Sequence, residues 1–354
     1  MDKDMRAVAY AGGESVVGED RAGGKITLLL EIIELSKVFR VSSRKFERAN
    51  ELHALSNVNL NVYQGETLGV IGESGCGKST LGRCIVGLHK PTHGLIKFKG
   101  QPLDYKGYAG KINRSKIQMI FQDPYSSLNP RKTCGSIVEE PLLIHKLIPD
   151  KEQRKKRVDE LMGLVGLDAQ YVHRYPHEFS GGQRQRINIA RALALEPELL
   201  VCDEPVSALD VSIQAQVLNL FAQLQRELNL TFIFISHDLS VIHHISDRIA
   251  IMYLGQVVEL CDAERIYNQP LHPYTQALLS AVPPNSPFEE KKSIILEGDI
   301  PSPIGERIGC PLVSRCPYRM ERCEKECPEL KDDGTGHEVA CFLYEGRSEV
   351  NDDE

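Results

Sequence analysis

The sequence predicts an α/β fold in which a parallel sheet is wrapped by helices. Three apolar runs of four or five residues have the length of buried strands, and segments with helical spacing alternate with them. This alternation is typical of a parallel sheet, whose catalytic groups gather at the carboxyl ends of its strands. The strand candidates are Leu68–Ile71, Leu199–Cys202 and Thr231–Ile235, and the helix candidates are residues 81–86, 150–166 and 214–228.

The region before the first buried strand predicts an antiparallel hairpin. Residues 28–39 carry apolar runs, and Val58, Leu60 and Val62 alternate with polar neighbours, with the polar residues 42–51 between them. Period-two alternation on both sides of a polar stretch favours two paired strands. Residues 1–27 contain paired glycines and little periodicity, so we expect a flexible leader there and assign it no function.

Composition narrows the class of protein. The 354 residues suffice for one large domain with an appendage, or for two domains, and 42% hydrophobic and 26% charged residues are ordinary for a soluble protein. A net charge of −7 gives no basis for nucleic-acid binding, which needs clustered basic residues. The sequence shows neither an apolar run long enough to span a bilayer nor a signal-peptide pattern, so we expect a cytosolic location.

A complete glycine-rich phosphate loop follows the strand at 68–71. Its glycines allow close approach of the backbone, its N–H groups cradle phosphates, its lysine reaches the β- and γ-phosphates, and its Ser79 hydroxyl ligates Mg²⁺. A glycine turn that binds nothing is the alternative, but every fixed position is filled and a helix pattern follows. The loop residues are Gly72, Glu73, Ser74, Gly75, Cys76, Gly77, Lys78, Ser79 and Thr80.

Two carboxylates end the second buried strand. Asp203 and Glu204 directly follow Leu199–Cys202, which places them at the edge where the phosphate loop lies. We expect Asp203 to hold Mg²⁺, directly or through water, and Glu204 to polarise the attacking water. A solvated acidic pair is the competing interpretation.

These motifs resemble those of the ATP-binding subunits of ATP-binding cassette (ABC) transporters, in the order of that family. The resemblance covers about residues 30–260, and we assign residues 28–265 to an ATP-binding domain. It implies a P-loop NTPase cassette with an antiparallel β subdomain and a helical signature subdomain. The motifs are the phosphate loop, Gln122 after Phe121, the signature Ser180, Gly181, Gly182 and Gln183, the pair Asp203 and Glu204, the D-loop with Asp210, and His237.

The resemblance implies a role for each motif. Gln122 contacts Mg²⁺ or the lytic water, His237 contacts the γ-phosphate, and Asp210 aligns the facing subunit. The signature closes on ATP bound by the opposite subunit, so one chain cannot complete a catalytic site. Phe39 falls where an aromatic ring stacks on adenine; a core phenylalanine is the alternative.

Residues 266–354 predict a different kind of unit, because prolines become frequent and favour short elements and loops. The runs 272–279, 298–303 and 309–318 resemble the C-terminal extension of oligopeptide and dipeptide importer ATPases. This implies a second, nonidentical ATPase subunit, two permease subunits, an extracytoplasmic solute-binding protein and a location on the cytoplasmic face of the cell membrane.

Five cysteines lie between positions 310 and 341. Four match positions where some relatives carry a [4Fe–4S] cluster, and Cys327 is an extra thiol that we consider as a substitute ligand. Zinc is the alternative metal, although the paired Cys-x₂-Cys of zinc ribbons is missing, and a metal-free, cysteine-rich tail is the third interpretation. The four matching residues are Cys310, Cys316, Cys323 and Cys341.

Two further alternatives concern what the ATPase drives. Relatives with this tail also import nickel, glutathione or oligosaccharides, and selectivity resides in the permease and the binding protein. A protein of another class, a soluble ABC ATPase acting on ribosomes or DNA, is disfavoured because the chain has one cassette, an acidic charge and no long coiled-coil insertion between the phosphate loop and the signature.

Overall fold

The computed structural model describes residues 17–19, 25–41, 50–104, 106–282, 293–305 and 308–345. Most of the predicted leader lies outside these ranges. Its described part is not a loose segment, because Val17–Glu19 forms a strand that pairs antiparallel with Lys25–Thr27. Regular structure therefore begins ahead of the predicted boundary at residue 28.

The strands form an antiparallel sheet of five strands and a main sheet of eight. The first sheet contains β1 (Val17–Glu19), β2 (Lys25–Val41), β3 (Asn50–Tyr63), β5 (His93–Phe98) and β6 (Gln101–Pro102). The main sheet contains β4 (Thr67–Ile71), β7 (Ile117–Ile120), β8 (Leu199–Asp203), β9 (Thr231–Ser236), β10 (Arg248–Tyr253), β11 (Gln256–Asp262), β12 (Lys331–Asp332) and β13 (Glu338–Val339).

The helices fall at the predicted places and at several others. They are α1 (Lys78–Ile85), α2 (Gly107–Lys116), α3 (Pro124–Ser127), α4 (Cys134–His145), α5 (Lys151–Leu164), α6 (Gly181–Leu193), α7 (Val211–Leu228), α8 (Leu239–Ile245), α9 (Ala263–Asn268), α10 (Pro273–Ser280) and α11 (Glu321–Lys325). Short 3₁₀ turns occupy Ala169–His173, Pro176–Glu178 and Phe342–Tyr344. Within the described residues, no helix combines the length and the apolar character that crossing a membrane requires.

The central part of the main sheet is parallel, as predicted. Its strand order is β12-β13-β11-β10-β4-β9-β8-β7, and the pairings from β10 through β4, β9 and β8 to β7 are parallel. The predicted hairpin is confirmed by the antiparallel pairing of β2 with β3. All five residues of β4 and of β8 are buried, which explains their continuous apolar sequences.

The two faces of the main sheet bury different partners. On β9, Ile233 and Ile235 pack with residues of the antiparallel sheet such as Leu55, whereas Phe232 and Phe234 pack against Phe221 of α7. This division follows from the alternation of side chains along a strand. Both faces of the sheet are therefore covered by packed side chains.

The C-terminal region is not a separate layer. It has the short elements that its prolines predict, yet β13 pairs with β11 and β12 pairs with β13, so the extension lengthens the main sheet. A second attachment occurs at β3, where Leu52 and Ile304 form an antiparallel bridge. Two-residue strands have no periodicity to detect, so this pairing could not be predicted from the sequence.

Candidate functional site

The phosphate loop joins β4 to α1 beside a cleft of about 640 Å³. Gly77 has φ +105°, and a Cβ there would lie 2.4 Å from the carbonyl oxygen of Ala54, so only glycine fits. Lys78 is buried, and its Nζ donates to the carbonyl oxygens of Gly72 and Glu73 at 2.7 and 3.0 Å. The loop thus presents a glycine-rich backbone and one ammonium group to the cleft.

Ser79, which lines this cleft, contacts Asp203 at the end of β8. The Ser79 hydroxyl donates to Oδ1 of Asp203 at 2.8 Å, across 124 positions of sequence. Asp203 is 2% exposed, and burial raises the pKa of its carboxyl above the ordinary value. A buried carboxylate beside a hydroxyl is the donor set that Mg²⁺ accepts, so these two residues fit the predicted metal.

Glu204 is the centre of a polar cluster. Gln122 donates through Nε2 to Oε2 of Glu204 at 2.8 Å, and Nδ1 of His237 lies 3.2 Å from the same oxygen. Glu204 has φ +48°, an uncommon conformation for a residue with a side chain, and its N–H donates to the carbonyl of Ile235 on the neighbouring strand. Two side chains from separate segments therefore converge on one carboxylate.

The cleft brings together most of the predicted ATP-site residues. Phe39 is half-buried and borders the cleft, and its ring packs edge-on against the ring of His89. It is not among the residues of the buried hydrophobic core. The predicted residues that line the cleft are Phe39, Ser74, Gly75, Gly77, Lys78, Ser79, Thr80, Gln122, Glu204 and His237.

Three residues of the predicted loop do not line the cleft. Cys76 is buried beneath Gly72, where a Cβ would lie 2.7 Å from the Cys76 sulfur, and its thiol pKa is raised by burial. The side chain of Glu73 turns away and forms an ion pair with Arg315, 3.0 Å from Nη1. These residues shape the loop through packing and through contacts outside the cleft.

The signature lies at the start of α6 and outside the cleft of its own chain. Ser180 caps the helix by accepting from the N–H of Gln183, whose Oε1 accepts from the N–H of Ser180. A Cβ on Gly182 would lie 2.3 Å from Cγ2 of Ile213, so α7 requires glycine there. Ser180 and Asp210, which precedes α7, are exposed. A helix N-terminus with free surface in front of it is suited to an anion supplied by another molecule.

The four predicted cysteine ligands border one small cavity in the C-terminal extension. Burial raises the pKa of Cys310 to about 12 and that of Cys341 to about 11, and the other thiols of the group act in the same direction. In the described part of the chain, no three His, Cys, Asp or Glu side chains are arranged to hold a metal ion. The cavity is lined by Cys310, Cys316, Cys323 and Cys341, together with His272 and eight other residues.

Cys327 is placed apart from this cavity. Its thiol is exposed and lies 3.5 Å from Oε1 of Gln256, and the neighbouring Pro328 lines the cavity instead. The structure therefore gives no support to Cys327 as a substitute for one of the four.

The sequence interpretation missed several residues around the cleft. Leu52, Ala54 and Pro303 line it, and Tyr274 accepts a hydrogen bond from the N–H of Glu73 at 2.8 Å. Pro303 lies in the run 298–303 and Tyr274 in the run 272–279, which both resemble the C-terminal extension of importer ATPases. Their contact with the site depends on the path of the chain, which no local pattern encodes.

A groove lies on the other side of the segment that follows β7. Phe121 lines this groove, whereas its neighbour Gln122 lines the nucleotide cleft. Its volume is about 430 Å³, and Leu88 and Ile144 contribute side chains that are 56% and 63% exposed. Adjacent residues thus connect an apolar surface to the Glu204 cluster.

Two family models match different parts of the chain. The model of the family described as ABC transporter matches residues 55–207. The model described as oligopeptide/dipeptide transporter, C-terminal region, matches residues 258–323.

Solved structures with this fold include ABC proteins. CbiO1 from Clostridium perfringens, described as part of the ABC transporter complex CbiONQ, is 28% identical, with a TM-score of 0.60 over 68% of this chain and 91% of that chain. The ATP-binding cassette MJ0796, a dimer in a post-hydrolysis state bound to ADP and Pi, is 31% identical, with a TM-score of 0.59 over 66% of this chain and 99% of that chain.

Curated relatives align with nearly the whole chain. The oligopeptide transport ATP-binding protein AppF of Bacillus subtilis is 51% identical and aligns over 89% of this chain and 97% of its own length. The dipeptide transport ATP-binding protein DppF of Escherichia coli is 50% identical, over 90% and 95%. OppF of the same organism, an oligopeptide transport ATP-binding protein, is 52% identical, over 89% and 96%. The chain therefore belongs to the ABC transporter ATPases, in the family of oligopeptide and dipeptide transport ATP-binding proteins.

Proposed function

We propose that this chain hydrolyses ATP to drive the import of oligopeptides or dipeptides through membrane permease subunits. The observation that carries the proposal is the convergence of Gln122 and His237 on Glu204 beside an intact phosphate loop. About 50% identity to peptide transport ATP-binding proteins over nine-tenths of the chain supports peptides as the substrate class. Nickel, glutathione and oligosaccharides remain alternatives, because the transported molecule does not contact this subunit.

The residues of the cleft have separate roles in ATP hydrolysis. The backbone N–H groups of the loop and Lys78 bind the β- and γ-phosphates, and Phe39 stacks on the base. Ser79 and Asp203, with Gln122 nearby, would hold Mg²⁺, which would supply positive charge to the phosphates. Glu204 accepts a hydrogen bond from the attacking water, and Gln122 and His237 hold that carboxylate in place. Hydrolysis then rests on positioning and charge rather than on a covalent intermediate.

A second ATPase subunit supplies the missing half of the site. The signature residues lie outside the cleft of their own chain, and the helix N-terminus at Ser180 is exposed. We propose that they close on ATP bound by a second, nonidentical subunit, with Asp210 at the interface. A dimeric ABC cassette among the structural neighbours supports this arrangement.

The groove beside Phe121 is the proposed docking surface for a permease. Its exposed apolar side chains suit the apolar face of a helix, and Glu140 and Arg191 at the same surface suit polar contacts. Because Gln122 follows Phe121, movement at this surface is transmitted directly to the Glu204 cluster. This docking would hold the chain at the cytoplasmic face of the membrane, with a solute-binding protein acting on the far side.

We propose that the extension holds a [4Fe–4S] cluster on Cys310, Cys316, Cys323 and Cys341. Burial raises the pKa of the Cys310 and Cys341 thiols, and a metal centre bound among the four cysteines would supply the positive charge that favours thiolates. A single zinc ion needs all four sulfurs about 2.3 Å away. A [4Fe–4S] cluster would instead take one of the four thiolates at each iron.

Metal analysis tests this centre. Anaerobically purified protein is expected to contain iron and acid-labile sulfide in equal amounts, and Cys316→Ser is expected to lose both. Cys327→Ser is the matched control and should keep them, because Cys327 lies outside the cavity. Zinc without sulfide would replace the cluster by a zinc site, and an equal iron content in both variants would remove Cys316 from the ligand set.

The proposed transport function is tested by affinity purification of Glu204→Gln with ATP from gently solubilised native membranes. This substitution removes the carboxylate that polarises water but keeps its shape, so we expect a trapped ATP-bound dimer with little turnover. Glu227→Gln, which alters an exposed helix residue, is the control and should hydrolyse ATP normally. Copurification of two permeases, a distinct ATPase and a solute-binding protein supports the importer, whereas recovery of ribosomes or DNA-associated proteins would overturn it.

A further inference from the structure

We propose that Pro303 of the C-terminal extension forms part of the wall that binds the nucleotide base. Pro303 lines the same cleft as Phe39 and the phosphate loop, although it lies far beyond the cassette in sequence. The inference deepens the proposed function and rests on the placement of the base against Phe39. It makes the extension a direct contributor to nucleotide binding.

Backbone hydrogen bonds hold Pro303 at the cleft. The carbonyl oxygen of Pro303 accepts from the N–H of His53 at 2.9 Å, and the N–H of Gly305 donates to the carbonyl oxygen of Glu51 at 2.9 Å. Between these bonds, Ile304 faces Leu52 in an antiparallel bridge. The segment is therefore held to β3 by an isolated antiparallel bridge and two backbone hydrogen bonds, at the place where β3 borders the cleft.

The apolar part of the cleft lining suits a flat aromatic base. Phe39, Leu52, Ala54 and Pro303 are apolar, whereas the other lining residues are those of the phosphate loop, Gln122, Glu204 and His237. Proline presents a rigid apolar ring and has no N–H to leave unsatisfied against a base. A base that stacks on Phe39 would be shielded from water by the Pro303 ring, which adds affinity through apolar burial.

The experiment measures two ligands on the purified full-length protein. Isothermal titration with ATP and Mg²⁺ reports binding of the whole nucleotide, and titration with tripolyphosphate and Mg²⁺ reports the phosphate loop alone. Pro303→Ala keeps the carbonyl that bonds His53 but removes the ring. We expect ATP to bind about three- to tenfold more weakly, because a few buried CH₂ contacts are lost. The affinity for tripolyphosphate should not change.

Three further variants separate the possible outcomes. Pro301→Ala lies in the same segment but not at the cleft, and should bind ATP normally. Pro303→Val restores apolar bulk and should regain most of the affinity. Phe39→Ala should weaken ATP binding and leave tripolyphosphate binding unchanged.

Three results would overturn parts of this assignment. If Phe39→Ala weakens ATP binding and Pro303→Ala does not, the base lies on Phe39 without the extension, and only the role of Pro303 is wrong. If neither variant alters ATP affinity, the proposed placement of the base fails as well. A loss of tripolyphosphate affinity in Pro303→Ala would show a displaced phosphate loop rather than a missing wall, which also contradicts the inference.

Discussion

The guanidinium of Arg315 lies 3.0 Å from the carboxylate of Glu73, although 242 positions separate the two residues. Glu73 is the second residue of the phosphate loop, and Arg315 directly precedes Cys316 in the extension. The same guanidinium lies 3.4 Å from the hydroxyl of Tyr253, and the hydroxyl of Tyr274 accepts from the N–H of Glu73. The cysteine-rich region thus contacts the phosphate loop through the ion pair between Arg315 and Glu73.

Arg315→Ala is expected to weaken the binding of both ATP and tripolyphosphate, by about three- to tenfold. The substitution leaves the Glu73 carboxylate without its ion-pair partner, so the loop loses part of its support. Titration with the two ligands checks this, and the paired loss distinguishes Arg315 from Pro303. Arg322→Ala removes an exposed extension arginine that pairs with Glu326 and should change neither affinity. Unchanged binding in Arg315→Ala would show that the loop holds its shape without the ion pair.

Purine selectivity should be weak. The side chains of Phe39, Leu52, Ala54 and Pro303 are apolar and themselves offer neither donors nor acceptors to distinguish adenine from guanine. Sites that recognise a base by hydrogen bonds discriminate by several orders of magnitude, whereas apolar sites do not. We expect GTP to bind within about tenfold of ATP in direct titrations. A preference for ATP beyond about a hundredfold would require a hydrogen-bonding partner outside this group of residues.

Ile144→Glu should prevent assembly with the permeases and leave nucleotide binding intact. Ile144 is exposed in the groove beside Phe121, so a carboxylate there would be desolvated by an apolar helix. Coexpression followed by copurification measures the effect. Leu143→Glu is the matched control, because Leu143 is also exposed but does not line the groove. Equal recovery of permeases with both variants would move the docking surface elsewhere.

Glu66 predicts a pH dependence of folding stability. Burial raises the pKa of this carboxyl from 4.5 to about 6, although Arg248 lies 3.3 Å away. Since the folded pKa exceeds the unfolded one, protonation of Glu66 stabilises the fold below pH 4.5, and this contribution is lost as the pH rises through 6. Glu66→Gln, which is neutral throughout, should therefore gain stability relative to the wild type over that interval, by about 2 kcal/mol. Denaturant unfolding of both proteins at several pH values checks the trend, and a constant difference would contradict it.

The sequence predicted the parts of the site that are contiguous. The phosphate loop, the acidic pair after β8 and the signature at α6 each carry local patterns, since backbone geometry and helix capping impose residue types at fixed spacing. Pro303 and Arg315 carry no such pattern, because their roles depend on pairing with β3 and with Glu73 far along the chain. The sequence also does not show where a side chain points. Glu73 lies within the phosphate loop, yet its side chain points toward Arg315 of the extension.

The pairing of β12 and β13 with β11 determines how the chain can be shortened. A truncation after Cys323 would leave the backbone of β11 as an open sheet edge, available to strands of other molecules. It would also remove His337, whose ring lies 2.6 Å from the fully buried Glu259, and leave that carboxylate with the N–H groups of Leu271 and His272 but without its imidazole partner. A cassette cut free of its extension should therefore aggregate, and the minimal folding unit of this protein includes its last two strands.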